Sequence, residues 1–236
     1  MTGAYKYPGE ELAVFENASN WKAYFSSYIL QYLKGKVAEV GAGIGSTTVS
    51  LNKGTASNWV LLEPDVTMAE TLVKKIELKQ LPSNCTVKKM TLSQLDTDEQ
   101  FDCILYIDVL EHINDDKLEV NAAAAHLKPG GILVVLSPAF NYLFSPFDKA
   151  IGHYRRYDKK MIGKLTTTSL VLHQIKYLDS IGYFASMTNK LLLKQSYPST
   201  GQVQFWDKWM IPVSKFTDRV FFYSFGKSIL ATWEKQ

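Results

Sequence analysis

The sequence predicts an α/β protein built on a mostly parallel β-sheet with helices on both faces. Between residues 36 and 136, short apolar runs alternate with segments of helical period, the pattern of strand–helix–strand units. A glycine-rich turn, Gly41-Ala42-Gly43-Ile44-Gly45, follows the first apolar run directly. Two later runs end on an acid, Glu63 and Asp108, at the carboxyl end of a strand, where open α/β sheets gather their ligands.

The elements follow in order. Trp21, Tyr24, Phe25, Tyr28, Ile29, Tyr32 and Leu33 recur at helical spacing, which predicts an amphipathic helix over Glu16 to Leu33 with Gly35 as its C-cap. Strands are predicted at Lys36 to Val40, Asn58 to Leu62, Thr86 to Met90 and Phe101 to Ile107. Helices are predicted at Met68 to Leu78 and Asn114 to Leu127. Lys128-Pro129-Gly130-Gly131 reads as a turn before a fifth strand, Ile132 to Leu136. Residues 138–160 read as a loop, aromatic and charged, without a period. A helix near Lys159 to Thr167 and a strand near Leu170 to Leu178 follow. The remainder is rich in large aromatics (Phe205, Trp206, Trp209, Phe216, Phe221, Phe222, Tyr223, Phe225, Trp233), expected to pack on the sheet edge or to cover a pocket.

Bulk properties narrow the function classes. The chain has 236 residues, 46% apolar and 21% charged, enough for one core with an added cap. A net charge of +3 gives no electrostatic case for a nucleic-acid partner. The two cysteines, Cys85 and Cys103, offer no disulfide framework and no CxxC metal spacing; they read as buried thiols of a reducing compartment. Met1 to Glu10 lacks the apolar run of a secretory signal, and no stretch has the length of a membrane span. The cytoplasm is therefore the expected location. No metal is expected, because no His, Asp and Glu cluster stands at ligand spacing.

Glycines at 41, 43 and 45 let the backbone turn sharply and approach a ligand, with the next helix aiming its N-terminal N–H groups at it. A dinucleotide fingerprint would place a third glycine at 46, where this chain has Ser46. Glu39, just before the turn, can accept a bond from an ammonium group or from a loop amide. It would repel a pyrophosphate, so it favours a ligand with a cationic moiety such as S-adenosylmethionine, which carries an ammonium and a sulfonium. Glu63 lies about 20 residues past the turn, the distance at which an acid binds both ribose hydroxyls. Asp65 is the weaker candidate for that role, and Asp102, at the opposite sheet edge, reads as structural. Glu111 and His112 are expected to cap and pack the following helix, with His112 as a base the alternative.

These stretches, with Leu127-Lys128-Pro129-Gly130-Gly131, resemble the class I S-adenosylmethionine-dependent methyltransferases. The resemblance implies a Rossmann-like sheet of seven strands, with an N-terminal helix and an aromatic-rich C-terminal extension. It implies that Glu39, Gly41, Ala42, Gly43 and Gly45 hold the methionine part, that Glu63 and Pro64 meet the ribose, and that Thr91 and Leu92 flank the adenine. Asp108 and Val109 complete the site. The adenine position is commonly an acid in that family, and Thr91 replaces it here.

A narrower resemblance rests on residues 137–157, Ser-Pro-Ala-Phe-Asn-Tyr-Leu-Phe-Ser-Pro-Phe-Asp-Lys-Ala-Ile-Gly-His-Tyr-Arg-Arg-Tyr. It looks like bacterial methyltransferases carrying Gly-His-Tyr-Arg-Arg-Tyr after the fifth strand, many of them linked with glycan or lipid-linked sugar assembly. Trp21, Trp209 to Pro212, Thr217-Asp218-Arg219 and Phe225-Gly226-Lys227-Ser228 extend it. Asp148, His153 and Tyr157 are the catalytic candidates, with His153 as general base. Arg155 and Arg156 are candidates to clamp an acidic substrate, or else to pair with Asp148 and pin the loop. Tyr142 and Tyr157 are candidates to line the acceptor pocket.

The expected protein is thus one domain: a helical cap over 1–35, a cofactor-binding core over 36–137 and a substrate side over 138–236. It transfers methyl groups from S-adenosylmethionine, releasing S-adenosylhomocysteine, to a small-molecule or glycan- or lipid-linked acceptor, as a monomer or homodimer. Competing readings are an NAD-dependent oxidoreductase, disfavoured by Ser46 and Glu39, a non-catalytic S-adenosylmethionine-binding regulator, and a peripheral membrane protein using its C-terminal aromatics.

Overall fold

The computed structural model describes residues 7–9, 12–190 and 197–236. Most of the Met1 to Glu10 stretch therefore lies outside the described residues. The elements in chain order are α1 (Leu12–Phe15), α2 (Ser19–Ile29), β1 (Gly35–Val40), α3 (Ser46–Leu51), β2 (Ala56–Leu62), α4 (Val66–Glu77), β3 (Cys85–Lys88), β4 (Phe101–Ile107), α5 (Asp116–Ala125) and β5 (Leu127–Pro138). They continue with α6 (Pro146–Ala150), α7 (Lys159–Lys164), β6 (Leu170–Leu178), α8 (Ser180–Thr188), α9 (Thr200–Phe205), α10 (Ile211–Val220) and β7 (Ser228–Lys235).

The seven strands form one sheet in the order β3-β2-β1-β4-β5-β7-β6. All neighbours are parallel except β7, which runs antiparallel to both β5 and β6. The direction of winding reverses between β1 and β4, and the crevice at their carboxyl ends is the ligand position that this topology creates. Period-two alternation splits the strands' side chains into two cores. Ala38, Val60, Ile104, Tyr106 and Val135 meet Val120 and Ala123 of α5 on one face. Val37, Trp59, Leu61, Cys103 and Leu105 meet Trp21, Phe25 and Ile29 of α2 on the other.

Several boundaries differ from the sequence reading. The first long helix ends at Ile29 and runs into a 3₁₀ turn, Leu30–Tyr32; Gly35 opens β1 at φ +63 instead of capping the helix. A Cβ there would strike Asp102, whose carboxylate accepts the Lys36 amide at 2.7 Å and the Lys128 ammonium at 2.7 Å. The turn expected at 128–131 is a bulge inside β5: pairing jumps from Phe101↔Leu127 to Cys103↔Ile132. The loop over 138–160 contains α6, whose first turn is fixed by a capping box between Ser145 and Asp148. The seventh strand of the expected sheet, given no position in the sequence reading, is β7, and Trp233, counted among the C-terminal aromatics, is a fully buried residue of it.

The C-terminal helices tie back to the N-terminal one. α2 starts after Ala18, which has no capping side chain; Asp207 accepts its free Asn20 and Trp21 amides at 3.1 and 2.8 Å. Asp207 lies in a π-helical turn, Trp206–Met210, joining α9 to α10. Pro212 has no N–H to donate to the preceding turn, which accounts for the widening. Among the described residues no helix is long and apolar enough to cross a membrane.

Candidate functional site

The crevice opens into a cavity of about 480 Å³. At one end lie Gly41, Ala42 and Gly43 after β1, Glu63 and Pro64 after β2, Thr91 and Leu92 after β3, and Asp108 and Val109 after β4. Gly41 takes φ +65, and a Cβ on it would lie 2.7 Å from Val109, so the turn tolerates no side chain there. Gly45 behaves differently. It takes φ +80 and backs onto Leu72 and Leu81 without lining the cavity, so its lack of a side chain serves packing beneath the turn.

Glu63 is buried, with each oxygen accepting one backbone amide: Gly43 at 2.8 Å and Asp65 at 2.9 Å. These bonds fix the carboxylate and leave a lone pair on each oxygen. Burial raises its pKa. Asp65 instead caps α4, accepting from Thr67 and Met68. Glu39 lines the cavity, but its Oε2 accepts from the Trp59 indole and the Thr48 hydroxyl, both at 2.8 Å, and not from a loop amide. Burial pushes its pKa up to about 7, against the pull of those two donors.

At the other end of the cavity stand Glu111, His112, Phe147, Asp148, His153 and Arg156. Asp148 is wholly buried and accepts from Ser145, from His153 Nδ1 at 2.9 Å, and from Arg156 Nε and Nη2 at 2.8 Å each. Burial works against its charge, but the His153 and Arg156 hydrogen bonds outweigh that and hold the carboxyl well below the usual range. Arg156 Nη1 is buried with no hydrogen-bond partner among the described residues.

Three expected site residues face elsewhere. Tyr157 is buried outside the cavity, its hydroxyl donating to Asp116 at 2.8 Å. Arg155 binds the Asn114 carbonyl at 2.6 Å and Asp116 at 2.5 Å. Tyr142 is half exposed and shares a hydrogen bond with Tyr183 at 2.9 Å. None of the three lines the cavity. In the extended stretch after Gly152 neighbouring side chains point apart, and motif adjacency carries no information on which of them turn inward. Glu111 and His112 do not cap α5 either: Asp115 does so, accepting from Leu118.

The fold also brings in residues that sequence spacing did not single out. Phe15 and Lys22 are such residues; with Trp21 and Phe25 of the predicted helix, Trp206 of the aromatics expected to cover a pocket and Lys227 of the extended motif, they complete the wall. The Lys227 ammonium lies 4.5 Å from the Trp206 ring centre, and burial lowers its pKa. Glu111, His112 and His153 come together with one ligand-type atom from each within 4.8 Å of the others, although no metal cluster was expected. His153 is far from the other two in sequence, so spacing could not show it.

The profile of a methyltransferase domain matches residues 37–131. A search of curated protein sequences returned no match. Solved structures share the fold over nearly the whole chain. A geranyl diphosphate methyltransferase in complex with S-adenosylmethionine aligns with TM-score 0.63 at 12% identity, covering 91% of this chain and 85% of that one. The cyclopropane synthase MmaA2 of Mycobacterium tuberculosis aligns with TM-score 0.61 at 16% identity, covering 91% and 83%. An S-adenosylmethionine-dependent methyltransferase of Clostridium acetobutylicum aligns with TM-score 0.59 at 12% identity, covering 95% of each chain. At these identities the structures speak for the fold, and the profile match speaks for the domain. Over residues 37–131 the chain is thus similar to a methyltransferase domain, and the fold around it is the one that these methyltransferases share.

Proposed function

We propose that the protein transfers a methyl group from S-adenosylmethionine to an oxygen or nitrogen of a small, glycan-linked or lipid-linked acceptor that carries a negative charge. The observation that carries this reading is one cavity with two unlike ends: a glycine turn with Glu63 at one, and His153 held by Asp148 at the other. S-adenosylmethionine supplies an activated methyl on a good leaving group. The open backbone at Gly41 to Gly43 receives its amino-acid part, the two spare lone pairs of Glu63 receive the ribose diol, and Leu92 flanks the adenine. His153, with Nδ1 committed to Asp148, presents Nε2 as the lone pair that meets the acceptor. Lys227 and the unpaired edge of Arg156 supply positive charge for a carboxylate or phosphate. The direct test is release of S-adenosylhomocysteine with anionic acceptors. Release that needs no acceptor charge, or that survives His153→Ala, contradicts the assignment.

The domain reading fits this arrangement. The N-terminal cap walls the cavity through Phe15, Trp21 and Phe25, and β6 and β7 complete the sheet that the core begins.

Glu39 makes cofactor binding pH-dependent. With a pKa near 7 it is protonated below that pH, and a cationic amino group placed against it favours the ionised form. S-adenosylmethionine affinity is expected to rise with pH up to about 7, by at most about tenfold per pH unit, and then to level off. Calorimetry across pH reads the slope directly; Glu39→Gln is expected to abolish it.

The outer face of the C-terminal helices supports peripheral membrane contact. Phe205, Trp209, Val213, Phe216 and Val220 form an exposed stripe, and Phe222 is 85% exposed beyond it. The exposed and half-exposed charges over 200–220, Lys208, Lys215 and Arg219, are all basic, while Asp207 and Asp218 are buried. An apolar stripe rimmed by cations suits an anionic lipid surface. Co-sedimentation with phosphatidylglycerol vesicles is expected, weakened roughly tenfold by Phe216→Ser with Phe222→Ser. Dimerisation through the stripe, without vesicle binding, would overturn this contact.

A further inference from the structure

We propose that Glu111, His112 and His153 form a binding site for a divalent transition-metal ion at the acceptor end of the cavity. The three side chains reach one point from two directions. Glu111 and His112 lie in the 3₁₀ turn Leu110–His112 that follows β4, and His153 lies in the segment after α6. One ligand-type atom from each lies within 4.8 Å of the other two, and His153 Nε2 is 3.8 Å from Glu111 Oε1. Donors on a common ion, with bonds of about 2.1 Å, stand roughly 3–4 Å apart, so side-chain adjustments of under an ångström close the set.

Glu111 supplies the independent observation. It is wholly buried, and among the described residues neither carboxylate oxygen has a hydrogen-bond partner. Ser137 lies alongside, but its hydroxyl is likewise unpartnered. Buried carboxylates are paired, hydrogen-bonded or bound to a metal. Arg156 is committed to Asp148, and among the described residues the one basic group paired with Glu111 is His153, at 3.8 Å.

The surroundings fit as well. Metal-bound imidazoles characteristically donate their second nitrogen to a carboxylate, which fixes the ring. His153 does this through Nδ1 to Asp148, which Arg156 and Ser145 hold in turn. The His112 ring stands edge-on to His153 at 4.4 Å, so the two imidazoles meet at the same place. Two imidazoles and one carboxylate select first-row transition ions over Mg²⁺ or Ca²⁺, and they leave coordination positions open. All three residues line the cavity, so an acceptor oxygen can take one of those positions. That role rests on the methyl-transfer reading; the ion site itself does not. With an ion in place, His153 Nε2 would be committed to it, and the ion would acidify an acceptor hydroxyl whose proton would pass to water instead of to the imidazole.

The test uses the full chain, stripped with a chelator and titrated with Zn²⁺, Mn²⁺ or Co²⁺ alone, with Mg²⁺ for comparison. One transition ion per chain is expected. Glu111→Gln and His153→Ala are each expected to weaken it about a hundredfold, with S-adenosylmethionine still bound. If a variant does not fold, the wild type decides: the Cu²⁺-loaded protein is expected to show hyperfine coupling to two imidazole nitrogens. No transition-ion binding by the wild type, binding unchanged in both folded variants, or a spectrum without imidazole coupling overturns the site. S-adenosylmethionine binding by the stripped wild type would then leave the methyl-transfer reading standing.

Discussion

Glu63→Gln is expected to weaken S-adenosylmethionine binding by two orders of magnitude or more while the protein stays folded. The carboxylate does two jobs at once. It accepts the Gly43 and Asp65 amides, one on each oxygen, and so holds the glycine turn against the end of β2. In the proposed site its other two lone pairs receive the ribose diol. A glutamine keeps one oxygen and turns an NH₂ group toward whichever amide faced the other, donor against donor. The charge is lost as well. Charge-assisted hydrogen bonds contribute about 1.5–3 kcal/mol each, so losing two amounts to about 3–6 kcal/mol, or a factor of roughly 10²–10⁴. Calorimetric titration measures this, with Asp65→Asn as a control that disturbs the α4 cap nearby and leaves Glu63 in place. A loss smaller than about tenfold would mean that the diol is held elsewhere.

Asp148→Ala is expected to produce the largest loss of stability. The substitution leaves Arg156, 7% exposed, without the carboxylate that takes two of its N–H groups, and frees the His153 ring. Breaking one side of a buried ion pair costs about 3–5 kcal/mol, and a chain of this size loses about 2–4 °C per kcal/mol, so the melting temperature should fall by roughly 6–20 °C. Replacing both partners, Asp148→Leu with Arg156→Met, is expected to recover most of that loss, because no stranded charge is left. It should not recover methyl transfer, because His153 still lacks its holder. The pH dependence has a definite sign. A carboxyl whose folded pKa is depressed contributes its stability above the unfolded value, near 4, and loses it as pH falls further. Acid unfolding of the wild type should therefore begin below that pH, and the double variant should lack this component. Equal melting temperatures for wild type and Asp148→Ala would show that the pair does not hold the loop.

The core of the fold was legible because its signals are local. Phe101–Ile107 and Leu170–Leu178 match their expected strands, and Gly41, Glu63 and Asp108 lie where an apolar run meets a polar end. A seventh strand was expected but β7 was not located, although Ile229 to Trp233 is a clear strand sequence, because the aromatics around it suggested a cover and hid the period. The acceptor end was only partly legible. Asp148 and His153 were marked by their motif, whereas Lys227 and the meeting of Glu111 and His112 with His153 depend on distant segments closing together. Tyr142, Arg155 and Tyr157 turn away from the cavity for the complementary reason: proximity in sequence to His153 does not determine which way a side chain turns.

The placement of β7 between β5 and β6 also orders events during synthesis. β6 leaves the ribosome first but has no neighbour in the sheet except β7, so it cannot find a permanent partner until residues 228–235 have been made. Through that interval the nascent chain carries an unpaired β5 edge and a detached β6, the kind of exposed strand that chaperones capture and that aggregation exploits. A strand made after β6 is thus the one that closes this sheet.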